Sequence, residues 1–164
     1  MYVTISISLC LVFMLIYNTL VITKYKKVPK SLSETAYLIS NGGNVRRYLF
    51  TLYCVCTGIT LLPPLLMNTP DGFEVLSFLI CSGFLFSGFS PNYKDRSSLD
   101  RSVHYWAAYI SFAAFLILGF TCLGWKWVLA YGIVFGGFCL WKPKCYTYFC
   151  EILALIILCI WILL

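Results

Sequence analysis

Glu151 is the residue whose setting most invites chemistry. It lies about six residues inside an apolar run at 145–164, roughly 9 Å along a helix from the run's basic edge. A carboxyl there must be protonated, paired, or turned toward a wet cavity, which makes an ionisable residue among apolar neighbours a functional candidate. The plain structural alternative is a carboxylate reaching back to Lys142 or Lys144 and serving assembly alone. His104 is the single histidine, and Asp100 precedes it by four residues. On a continuous helix the two share a face, so the carboxylate could set the imidazole tautomer. A histidine at an interface, held only by structural hydrogen bonds, is the competing reading. The densest polar stretch, 90–101, adds Asp95 and Arg101 to these candidates.

Most catalytic chemistry lacks its residues. The chain shows no nucleophile elbow, no phosphate-cradling glycine loop and no paired-histidine zinc motif. Three histidines are needed for the commonest zinc-activated water, and one is present. The nine cysteines are odd in number and sit in or beside apolar runs, where free cysteine behaves as a small hydrophobe. Cys54 and Cys56 point to different helix faces, and no second pair completes a ligand set. No cofactor, metal or disulfide framework is expected, and the chain is not expected to be an enzyme. An Asp100–His104 acid/base pair acting on a lipid headgroup ranks third among the functions.

The elements that would position these residues follow from composition. Apolar residues make up 61% of the chain and charged residues 11%, against roughly a quarter charged in a soluble domain. The apolar residues fall into six runs, at about 2–23, 48–67, 73–89, 103–123, 127–141 and 145–164. Most approach the 20 or so residues that cross a hydrocarbon core as helix. The expected fold is therefore all-α, a single six-span transmembrane bundle over 1–164.

Charge sets the orientation. With the N-terminus outside, the first, third and fifth connections hold eleven of the twelve basic residues, leaving Lys126 outside. The net charge of +6 then reflects topology rather than nucleic-acid binding, and both termini are expected on the non-cytoplasmic side. The first run lacks a basic flank and a cleavage site, so it is read as a retained span rather than a signal peptide. A short chain with hardly any tails fits a bacterial inner membrane.

Local signals refine this frame. Pro63 and Pro64 should kink or end the second span, and 68–72 (NTPDG) should form a tight hairpin. Gly132 and Gly136 place small residues on one face of the fifth span, where a neighbouring helix could approach closely. Internal packing is the expected use of that face. Ser31 and Glu34 fit a capping box, opening a helix of one or two turns at the cytoplasmic interface.

The stretch 83–91 (GFLFSGFSP), then a charged loop, then 103–108 (VHYWAA) resembles small six-span bacterial membrane proteins of unknown function. More distantly the chain is similar to the eukaryotic Frag- and DRAM-type six-span proteins. The resemblance implies a six-helix bundle and a structural or binding role for His104, and no established activity.

Together these readings favour a non-enzymatic bundle that binds a membrane lipid, a small amphiphile or a protein partner, including further copies of itself. Asp95, Asp100, Arg101, His104 and Glu151 are its candidate contacts, gathered toward the cytoplasmic side. The alternative is a small transporter or proton-coupled carrier, possible as an oligomer, in which Glu151 takes up and releases a proton.

Overall fold

A computed structural model of the chain describes residues 2–40, 44–91, 94, 98–141 and 144–164. All of its regular elements are helical. In chain order they are α1 (Tyr2–Tyr25), α2 (Thr35–Ser40), α3 (Asn44–Asn68), α4 (Glu74–Phe89), α5 (Ser98–Leu118), α6 (Trp125–Trp141) and α7 (Tyr146–Leu163). A π-helical turn, Gly119–Leu123, continues α5. Gly124, at φ +81°, breaks the path before α6, a backbone state open to glycine without steric cost. Lys126 therefore sits in the first turn of α6 rather than in a separate connection.

Four helical stretches are long and apolar enough to cross a membrane: Tyr2–Tyr25, Tyr48–Asn68, Leu99–Leu123 and Tyr146–Leu163. The helices at the third and fifth predicted spans are apolar but shorter, α4 with 16 residues and α6 with 17. Length and composition thus mark four spans where the hydropathy reading expected six. Apolar side chains also cover outward faces, with Leu15, Ile59 and Ile133 each at least 60% exposed. Helices apolar all round belong in a large core or in lipid.

Helices α3, α4 and α5 pack in a row, with α1 on α3, and α7 touching α1, α3 and α6. The row is tight because small residues stand at its contacts. A Cβ built on Gly83 would lie 2.3 Å from the Ser111 Cβ, and one on Gly88 would lie 2.6 Å from the Cys54 Cβ. Neither helix pair could stand so close with a side chain at those positions. Hydroxyls bridge the same contacts: Ser111 Oγ donates to the Ile80 carbonyl at 2.9 Å and Thr51 Oγ1 to the Gly88 carbonyl at 2.7 Å. Gly132 and Gly136, expected to serve internal packing, have nothing within 4 Å of a built Cβ. Within the chain, close approach uses α4 instead.

Pro63 and Pro64 do not end α3, which runs on to Asn68. Lacking an N–H, Pro64 leaves the Thr60 carbonyl without its helical donor. Ser6 Oγ on α1 donates to that carbonyl at 2.6 Å, so a neighbouring helix replaces the missing bond. The hairpin after α3 forms as expected. Phe73 N–H bonds to the Pro70 carbonyl, Gly72 takes φ +89°, and Thr69 and Ser77 share a hydroxyl bond of 2.6 Å.

The α2 region is more deeply placed than an interfacial helix would be. Leu32, Thr35, Ala36 and Ile39 are buried, and α2 packs on α3 and α1. The capping box is present with a one-residue offset. Ser31 Oγ accepts from the Glu34 N–H at 3.2 Å, while the Glu34 carboxylate accepts from the Lys30 N–H at 2.6 Å. The turn expected to end α2, 41–43, lies outside the described residues.

Candidate ligand-binding site

Two of the bundle's helices do not close on each other. Helix α5 packs closely on α4, and α7 on α1, α3 and α6, but α5 and α7 share no substantial contact. Between them lies a cavity of about 400 Å³, backed by Phe50 and Cys54 of α3 and by Ile80, Phe84 and Ser87 of α4. Its size suits a small molecule.

The side chains facing the gap are large. Tyr105, Tyr109, Phe112 and Phe115 recur along α5 at helical spacing, and all line the cavity. Phe135 of α6 and Tyr146 of α7 also line it, their rings 5.8 Å apart and nearly perpendicular. Farther along, Phe112 and Phe115 meet Tyr131 of α6 at centroid distances of 6.1 and 5.4 Å. Rings of this bulk line the gap, whereas small residues stand at the close α4–α5 contact.

The polar groups enter from one end. Glu151 lines the cavity from α7 and is partly accessible. One carboxylate oxygen, Oε2, accepts the Leu32 backbone N–H at 2.6 Å. The α1–α2 connection is thereby strapped to α7, a link reinforced by the Tyr148 N–H donating to the Lys30 carbonyl at 3.0 Å. That second bond satisfies one of the N–H groups a helix start leaves without an internal partner. Of the two lysines named as alternative partners, Lys144 forms no ion pair with Glu151 and Lys142 lies outside the described residues.

His104 lines the same cavity from α5 and is only 2% exposed overall. Its Nδ1 lies 3.3 Å from the Ser87 carbonyl, a geometry in which Nδ1–H donates. The α4 C-terminal turn therefore orients the ring. Tyr148, one turn before Glu151, donates to Asn18 Oδ1 at 2.7 Å, and Tyr17 stacks on Tyr53 with centroids 4.3 Å apart. A layer of polar and aromatic contacts thus fastens α1, α3 and α7 behind the site.

Of the five residues singled out from sequence, Glu151 and His104 are brought to one cavity. Asp100 is half-buried and Arg101 exposed, both in the first turn of α5, and neither lines it. Asp95 lies outside the described residues. Lys94 docks the neighbouring connection onto the α2 region. Its N–H donates to Tyr37 Oη at 2.6 Å, its ammonium lies 4.8 Å from the Tyr37 ring, and Glu34 is 3.8 Å away. The α5 aromatics were not singled out, although their spacing is a readable signal. The Leu32 amide carries no sequence signal at all.

No family model matches the chain, and no curated protein or solved structure matches it either. The reading of the site rests on its geometry.

Proposed function

We propose that the chain is an integral membrane protein whose six apolar helices all cross the bilayer, and that it binds a lipid or small amphiphile in the α5–α7 cavity. The observation that carries the binding reading is the cavity itself, apolar along its length and polar at the end where Glu151 and His104 enter. A site with many apolar contacts and a few placed polar groups is the usual form of a small-molecule pocket.

Depth supports the six crossings. Helix α4 is wedged between α3 and α5 and touches them at Gly58, Gly83 and Gly88, so it occupies the layer that its two longer neighbours span. At 1.5 Å per residue its 16 residues cover roughly 24 Å, short of a typical core by an amount that local thinning accommodates. Six crossings also keep eleven of the twelve basic residues on one side, which supports both termini on the non-cytoplasmic side and the Glu151 end of the cavity on the cytoplasmic side. Topology reporters inserted at Asp71 and at Asp100 test this. They should read opposite sides, and reporters on the same side overturn the α4 crossing.

Binding is tested by native mass spectrometry of the chain released from lipid nanodiscs, beside Ala108→Phe. Ala108 lines the cavity, and a phenyl ring there intrudes on it. A small molecule retained in proportion to the chain and lost in Ala108→Phe is the expected result. Retention unchanged by the substitution places the ligand elsewhere. A bare oligomer with nothing retained favours the second reading, a small proton-coupled carrier. Its specific support is Glu151, whose cavity-lining carboxylate accepts a single hydrogen bond among the described residues.

A further inference from the structure

The charge balance of the cavity narrows what it can hold. Among the described residues, Glu151 is the only carboxylate lining the cavity, and no lysine or arginine lines it. Its Oε2 is committed to the Leu32 amide. Among the described residues, Oε1 has no hydrogen-bond or ion-pair partner, so this cavity-lining acid is only half matched. A carboxylate in an apolar setting is costly unless it is neutralised or paired. The described residues supply one backbone dipole and no counter-charge.

The walls add a second preference of the same sign. Tyr105, Tyr109, Phe112, Phe115, Phe135 and Tyr146 all line the cavity. Aromatic faces carry partial negative charge and attract cations that lie over them, more strongly where water is excluded. The remaining basic candidate, His104, is turned through Nδ1 to the Ser87 carbonyl and lies at the opposite wall on α5. A phosphate or carboxylate headgroup would meet Glu151 with like charge. A neutral molecule would leave the carboxylate without a counter-charge. A volume of about 400 Å³ suits a drug-sized molecule and is smaller than a whole two-chain lipid.

Building on the binding reading above, we infer that the cavity takes a hydrophobic organic cation, an ammonium group on an apolar or aromatic body, with Glu151 as its counter-ion. The ammonium sits at the Glu151 end, within the ring of aromatic faces. The apolar body runs along α5 past Phe112 and Phe115 toward the interior of the bundle. This arrangement neutralises the carboxylate and uses the aromatic lining that the bundle otherwise leaves apart.

The test compares 4-phenylbutyl-trimethylammonium with the uncharged analogue in which carbon replaces nitrogen. Binding of each to the full chain in nanodiscs of neutral lipid is measured by equilibrium dialysis, after subtracting partition into empty nanodiscs. The cation should bind at least tenfold more tightly than its neutral twin. Glu151→Gln keeps an oxygen for the Leu32 N–H and removes the charge, so in that variant the ratio should fall toward one while both probes still bind. Equal binding of the two probes to the unmodified chain overturns the cation assignment, and a preference that persists in Glu151→Gln overturns Glu151 as the counter-ion; both leave the binding cavity standing. Failure of both probes to bind overturns the cation assignment. The Ala108→Phe comparison then decides separately whether any retained ligand uses the cavity. Should Glu151→Gln fail to fold, the two probes on the unmodified chain decide the matter alone.

Discussion

Helix α5 has two unlike faces, and the contrast between them organises the molecule. Toward α4 it presents Ser111 against Gly83, where backbones come so close that a single Cβ would overlap. Toward α7 it presents Phe112, Phe115 and the tyrosines before them, and the two helices stand off with a cavity between. Lipid tails are as apolar as leucine, so burial of apolar surface gives little drive for one such helix to find another; fit and hydrogen bonds decide. Small residues with bridging hydroxyls make the α3–α4–α5 row a fixed wall. Bulky rings on the other face leave space that the wall then frames. Rigidity and vacancy are two results of one variable, side-chain size along α5 and its neighbours.

The comparison can be broken at its tight side. Gly83→Leu drives a side chain into Ser111 and the Ala107 carbonyl, and should destabilise the bundle by about 3 kcal/mol or more, at the upper end of overpacking costs. Thermal unfolding in detergent should show a large fall in Tm or no folded species, and an unchanged Tm would mean that α4 and α5 are not in close contact. Removing the strap at the open side should cost less. Glu151→Ala leaves the Leu32 N–H without its acceptor, a loss of about 1–3 kcal/mol if the amide stays dry. Glu151→Gln should retain most of that stability, and equal destabilisation by both would show that charge rather than the hydrogen bond holds the connection. The smallest effect belongs to Gly132→Leu. Nothing lies within 4 Å of a Cβ there, so stability should change by no more than about 0.5 kcal/mol. A large fall, or a change in subunit number by light scattering, would show that another copy of the chain covers the α6 stripe.

How far the sequence announced this arrangement depended on the kind of interaction. Apolar run length and loop charge led to helices in nearly the right places, because span chemistry is local and periodic. The capping signal at Ser31 and Glu34 and the hairpin at 68–72 were legible for the same reason. Glu151 stood out because an acid in an apolar run is unusual, and His104 because it is the sole histidine. What remained hidden was non-local. Ser6 gives no hint that it completes a proline-interrupted helix 54 residues away. The glycines that pack, Gly83 and Gly88, look no different in sequence from Gly132 and Gly136, which have no close neighbour. A spacing of small residues says that close approach is feasible, not which helix approaches. The burial of α2 also escaped notice, since its few apolar residues suit a bilayer surface as well as a groove between helices.

The bond between the Leu32 amide and Glu151 also has a consequence in time. Its two ends are separated by 119 residues of chain, about 6–24 s of synthesis at 5–20 residues per second. During that interval α3, α4 and α5 can already assemble, since their contacts are with one another, while the α1–α2 connection waits without its acceptor. The cavity acquires its second wall and its acid together, when α7 arrives. A chain cut short before residue 146 would therefore hold every residue of its tight row and lack both the second wall and the acid of its binding site.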